Sequence, residues 1–158
     1  MSRVDNKMTL PDFRNDGSFA PREGEVALPF DPAEAGGDAH VVFIGHVRSP
    51  WTSRESCPKN MSAAAKAGGG ARIEIAEAYR PGLAGLEAAS HLVLLTWLDR
   101  SPRNLILQKP RHAAQARGVF ALRSPARPNP VGLHVVRLLA LDAVAGRLDL
   151  EALDVLDG

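Results

Sequence analysis

Leu133-His-Val-Val-Arg-Leu-Leu-Ala-Leu141, then Asp142-Ala-Val-Ala-Gly146, then Arg147-Leu-Asp-Leu-Glu-Ala-Leu153 is the stretch that decides the fold. Two runs rich in β-branched and aliphatic residues flank a short connection that ends in glycine, the residue that reaches positive φ at least cost. The reading is a β-hairpin. Working back along the chain, His91-Leu-Val-Leu-Leu-Thr-Trp-Leu98 is almost continuously apolar and predicts a central strand covered on both faces. Arg72-Ile-Glu-Ile-Ala76 alternates as a half-exposed strand does, Val41-Val-Phe-Ile-Gly-His-Val47 has the composition of a buried strand, and Gly118-Val-Phe-Ala-Leu122 predicts a short one. Helical signals are sparse. Residues 81–89 suit a helical turn despite their glycines, and residues 103–117 suit a short helix interrupted by Pro110. Residues 52–71, with Pro58, the Ala63-Ala-Ala-Lys-Ala67 run and Gly68-Gly-Gly70, read as a long mobile loop. Strands outnumber helices, so the expected class is mainly β: a compact antiparallel β-barrel with short helices and long loops.

A chain of 158 residues fits one domain with one core. Residues 1–40 carry four prolines and no sustained period, and read as an irregular arm ahead of a domain over 41–158. Val26-Ala-Leu-Pro-Phe30 is too apolar to leave in water, so the arm is expected to pack on the domain or on a second subunit. No apolar run approaches the ~18 residues that span a bilayer, and the N-terminus lacks a signal-peptide pattern. The expectation is a soluble cytoplasmic protein with no membrane partner. Cys57 is the only cysteine, which excludes an internal disulfide and a multi-cysteine zinc site. His40, His46, His91 and His112 lack carboxylates or cysteines at ligand spacing, so no metal is assigned. Cys57 has no evident activating base, and Ser49, Ser101 and Ser124 are turn residues beside prolines, so a covalent nucleophile is not supported. Trp51 and Trp97 read as core, with base stacking by Trp51 as the alternative.

Net charge is only +1, yet no acidic residue occurs between Asp99 and Asp142. That window holds Arg100, Arg103, Lys109, Arg111, Arg117, Arg123, Arg127 and Arg137. Such a block suits phosphates, which arginine binds through its planar fork; a solvated face balanced by acidic neighbours is the competing reading. Within the block lies Arg123-Ser-Pro-Ala-Arg-Pro-Asn-Pro-Val-Gly132. Its prolines fix φ near about −65° and hold each preceding residue extended, so the loop is preorganised. Arg123 and Arg127 supply side-chain donors, Asn129 donates and accepts, and Gly132 permits close backbone approach. An anionic or carboxylate-bearing ligand fits this set.

The string Gly118-Val-Phe-Ala-Leu-Arg-Ser-Pro-Ala-Arg-Pro-Asn-Pro-Val-Gly-Leu133 resembles the signature of the TrmO (YaeB/TsaA-like) family, G-V-F-A-T-R-S-P-x-R-P-N-P-I-G-L. Ile44-Gly-His-Val-Arg-Ser-Pro50, Gly85-Leu-Glu-Ala-Ala-Ser-His-Leu92 and Leu153-Asp-Val-Leu-Asp-Gly158 support it. The resemblance implies a β-barrel that binds S-adenosyl-L-methionine, works as a homodimer and methylates N6 of threonylcarbamoyladenosine beside a tRNA anticodon. Carried over residue by residue, it implies cofactor contacts at Arg123, Leu133, Asp157 and Gly158. The family's Pro-Arg-Gln aligns with Pro58-Lys59-Asn60, and its His-Gln pair with Asp99-Arg100. Both are departures, and Asp99-Arg100 in place of His-Gln changes charge and donor pattern; His134 also stands where the family pattern has a small serine. Relatives continue past Gly158 with a Thr-Pro and a D-I-K-P-Y type segment, so the resemblance implies that either a further tail or a partner subunit completes the site.

Methyl transfer from a sulfonium to nitrogen is an in-line displacement in which positioning and water exclusion dominate. The acceptor nitrogen must also lose a proton, and Asp99 and Asp154, with Asp157, are the candidate acceptors. Arg127, Asn129, Arg111 and Arg117 are the residues expected to meet the substrate. Two other readings stay open from the residues: a methyltransferase of this fold acting on another small molecule or nucleoside, and a non-catalytic RNA-binding barrel.

Overall fold

A computed structural model describes residues 21–32, 34, 40–110 and 113–158. Arg111 and His112, and most of the arm, lie outside the described residues. The chain is mainly antiparallel β with few short helices, and divides into two compact units, one built from Met1–Gly36 with Trp97–Val131, the other from Gly37–Thr96 with Gly132–Gly158.

The larger unit carries a curled five-stranded sheet. Its strands are β2 (Gly45–Arg48), β3 (Ala71–Ile75), β4 (His91–Trp97), β7 (Val131–Asp142) and β8 (Arg147–Leu150), in the order β2-β3-β8-β7-β4. The hairpin read from the sequence is β7–β8, with Asp142 opposite Arg147. Asp142 Oδ1 accepts from the Ala145 N–H at 2.9 Å, and Gly146 has φ +71°. A Cβ there would stand 2.6 Å from Ile75 O, so glycine is required by both conformation and space. One residue, Leu139, bulges out of the pairing between Leu138–Leu150 and Ala140–Asp149. The inward side chains Val47, Ile73, Val136, Leu148 and Leu150 make the core with Leu153 and Val155 from the C-terminal segment.

Three expectations are corrected here. The 91–98 run is an edge strand with alternating exposure, not a central strand covered on both faces. Strand structure begins at Gly45 rather than Val41, and Val41, Val42, Phe43 and Ile44 are exposed. Within the expected loop over 52–71 lies a helix, α1 (Met61–Lys66), because Asn60 adopts extended geometry and its side chain accepts from the Ala63 N–H at 2.9 Å. Trp51 fills space, as read: its Nε1–H donates to Leu153 O at 2.8 Å, and a Cβ on Gly69 would stand 2.5 Å from its ring.

In the smaller unit, β1 (Val26–Ala27), β5 (Leu105–Gln108) and β6 (Arg117–Gly118) form a three-stranded sheet in the order β1-β5-β6. The expected helix over 103–117 is therefore replaced by β5, and the expected strand over 118–122 is a two-residue bridge followed by a 3-10 turn, Val119–Ala121. Leu105 and Val119 are fully buried. The described part of the arm is tied to this unit through β1 and through Glu25, whose side chain is 1% exposed. Glu25 accepts from Arg22 and from the Lys109 N–H at 3.0 Å, and its pKa is lowered from about 4.5 to about 2, chiefly by the Arg22 bond, against the opposing effect of burial. A depressed carboxylate contributes stability above its unfolded pKa and loses it as pH falls through the folded one. The β1–β5 pairing is thus expected to weaken between about pH 4.5 and 2. In Glu25→Gln at neutral pH, amide exchange in Leu105–Gln108 should quicken about tenfold, as loss of a charge-assisted bond predicts; unchanged exchange would mean the clamp does not hold the strand.

Candidate functional site

The proline loop is braced from inside and from behind, all within the smaller unit. Arg127 turns back on its own loop, with Nε donating to Ser124 O at 2.8 Å and NH2 donating to Leu122 O at 2.9 Å and to Ser124 O. Arg103 donates through Nε to Pro128 O at 2.7 Å while its guanidinium lies 5.4 Å from the Trp97 ring centroid. The Leu98 N–H reaches Pro130 O at 2.9 Å, and Ala126 and Pro130 are buried beneath. Proline stiffness and two arginine braces act in the same direction, so the loop's shape does not depend on a ligand.

What this frame presents is Arg123. It is exposed, and among the described residues it has no hydrogen-bond or ion-pair partner. Asn129 and Arg117 are exposed too, as are Asp99 and Arg100 in the turn after β4. Phe120, three residues before Arg123, is 82% exposed, an uncovered aromatic face that the sequence reading did not single out. Arg103 was also missed as a brace, because nothing local links it to a carbonyl 25 residues away. Arg127 differs from Arg123: its described bonds hold the loop. Arg111 lies outside the described residues.

In the larger unit, the C-terminal segment is stitched to the turn after β2. The Gly158 N–H donates to Val47 O at 3.0 Å and the Asp157 N–H to Trp51 O at 2.9 Å. Asp157 Oδ1 accepts from the Ser49 N–H at 3.0 Å, and Ser49 Oγ donates to Val155 O at 2.7 Å. Asn60 caps α1, and Lys59 is exposed beside it. Leu133 is exposed on β7. On the other side of that strand, His134 Nε2 is 3.0 Å from Thr96 Oγ1 and His134 Nδ1 is 3.2 Å from Asp154 Oδ1. Asp154 also acts on Cys57, whose thiol is pushed up by burial first and by that negative charge second. A separate groove of 410 Å³ is lined by Arg48, Ser49, Gly70, Ala71, Arg72 and Asp149. Its arginines pair through Nε with Glu74 and Asp149, so it reads as a lattice of exposed ion pairs. Among the described residues no group of three His, Cys, Asp or Glu side chains could hold a metal ion.

Residues 46–158 match the family model of the tRNA-methyltransferase O N-terminal domain, TrmO_N. VirR of Rhizobium radiobacter, described as a probable S-adenosyl-L-methionine-binding protein, is 39% identical over 138 residues, covering 87% of this chain and 74% of VirR. RcsF of Pseudomonas aeruginosa, described as a putative S-adenosylmethionine-dependent methyltransferase, is 38% identical over 122 residues, covering 73% of this chain and 49% of RcsF. A crystal structure of TrmO from P. aeruginosa superposes with a TM-score of 0.61 at 31% identity, over 79% of this chain and 52% of that one. The chain spans about half the length of the last two. It belongs to the TrmO family, as the signature around Arg123 implied.

Proposed function

We propose that the protein is an S-adenosyl-L-methionine-dependent methyltransferase that modifies N6 of threonylcarbamoyladenosine next to a tRNA anticodon. The observation that carries the reading is Arg123: an exposed guanidinium without a described partner, on a loop whose shape is already fixed. The methyl donor carries a carboxylate, which a guanidinium binds through two parallel charge-assisted bonds. Arg123, Leu133, Asp157 and Gly158 would hold the donor, together with Asp99, Arg100, Pro58, Lys59 and Asn60. Asn129, Arg117 and Arg111 would meet the RNA, and Arg127 would keep the loop in shape. When bound, the donor supplies an electrophilic methyl group on positive sulfur. The protein's own share is orientation, exclusion of water, and acceptance of the nitrogen's proton by Asp99 or Asp154.

The proposed active form is a homodimer in the cytoplasm. Support for the dimer comes from the outer face of β4 and β7, where Val93, Leu95, Leu133, Val135 and Leu139 are each between 55% and 67% exposed. A contiguous apolar face of this kind marks an interaction surface, and a two-fold axis covers it with its own copy.

Calorimetric titration with S-adenosyl-L-methionine, followed by methyl transfer to threonylcarbamoyl-modified and unmodified tRNA, tests the reading. Binding with methylation of the modified tRNA alone is expected. Transfer to some other nucleoside would instead favour the departure at Asp99-Arg100 as a change of substrate, and no donor binding would leave an RNA-binding module.

A further inference from the structure

We propose that Thr96, His134 and Asp154 form a positioning relay for the transfer step, in which His134 acts through Asp154. This rests on the methyltransferase reading above and deepens it. His134 and Asp154 have side chains only 11% and 18% exposed, and both imidazole nitrogens of His134 are engaged. A ring bonded on both sides is fixed in orientation: Nδ1–H donates to the carboxylate while Nε2 is hydrogen-bonded to the Thr96 hydroxyl. Asp154 Oδ1 is thereby occupied, and among the described residues its Oδ2 has no hydrogen-bond partner. The carboxylate is therefore held through one oxygen, with the other still able to accept a proton. Asp157 and Pro58 are two of the positions proposed to hold the donor: Asp154 lies three residues before the first, and its charge is felt at Cys57, which adjoins the second.

The acceptor nitrogen's N–H proton passes to Asp154 Oδ2, the nitrogen's electron pair forms the new N–C bond, and the broken C–S pair stays on sulfur, which becomes a neutral thioether. Asp154 ends as a neutral carboxylic acid. His134, still donating to Oδ1 and bonded to Thr96, does not change partners.

The test is a double-mutant cycle on the full chain with threonylcarbamoyl-modified tRNA and saturating S-adenosyl-L-methionine. Asp154→Asn should lower kcat about 100-fold, as loss of a general base does. His134→Ala should lower it about tenfold, with KM for both substrates within about twofold, and the double variant should be no slower than Asp154→Asn alone. Thr96→Ser should keep full rate and Thr96→Val should fall toward His134→Ala, which also serves if His134→Ala does not fold. Additive losses, or a raised KM with intact kcat, would overturn the relay. A wild-type chain that transfers no methyl group overturns the function reading and the relay with it; an active wild type with an unimpaired, folded His134→Ala overturns the relay alone.

Discussion

Replacement of Arg123 by alanine is expected to weaken S-adenosyl-L-methionine binding by about 100-fold or more in calorimetry. A fork of two charge-assisted bonds to a carboxylate contributes on the order of 3 kcal/mol, and about 1.4 kcal/mol corresponds to each tenfold change in affinity. The protein itself should stay folded, because the Arg123 side chain holds nothing else among the described residues. Arg123→Lys keeps the charge without the planar fork and should recover about tenfold of the loss at most. Arg127→Ala should behave differently: it removes three bonds to Leu122 and Ser124 carbonyls, so the loop itself should loosen. If Arg123→Ala binds the donor as tightly as wild type, the signature loop is not part of the donor site.

The second large effect is expected at the apolar face of β4 and β7. Val135→Asp places a carboxylate among Val93, Leu95 and Leu133. In an isologous contact each substitution appears twice, and two desolvated like charges across one interface cost several kcal/mol, enough to dissociate a dimer. Light scattering should report half the wild-type mass. Secondary structure should be retained, since Val135 is 61% exposed within the chain. An unchanged mass would place the contact between copies elsewhere or show that none forms.

The parts of the fold that were legible in the sequence are those with local causes. The β7–β8 hairpin was readable because Gly146 marks the turn and apolar runs flank it, and β3 because Arg72-Ile-Glu-Ile alternates. The misreadings share one cause: composition reports that a side chain avoids water and not what covers it. Thus His91–Trp97 looked doubly covered when one side faces outward, and Val41–Ile44 looked like buried strand when those residues are exposed. For α1 the signal was present and overlooked, since Asn60 before Met-Ser-Ala-Ala-Ala-Lys is a capping residue before good helix formers. Leu105-Ile-Leu-Gln carries no period long enough to separate strand from helix, and its pairing with Val26–Ala27 is non-local. At the candidate site, Arg123 was legible through the signature, whereas the division of labour between Arg123 and Arg127 was not. Only the fold shows one arginine facing out and the other folded onto Leu122 and Ser124. His134 was visible as a departure, but its partners Thr96 and Asp154 lie 38 and 20 residues away.

The braces on the proline loop also bear on the kinetics of binding. A segment that must order around its ligand charges that entropy to every association, while one already locked by Arg103 and Arg127 does not. Arrival of the ligand should then be governed by diffusion and orientation, with similar association rates for close analogues. Discrimination among them would fall on how long each resides, and a change to the carboxylate end would register as faster escape.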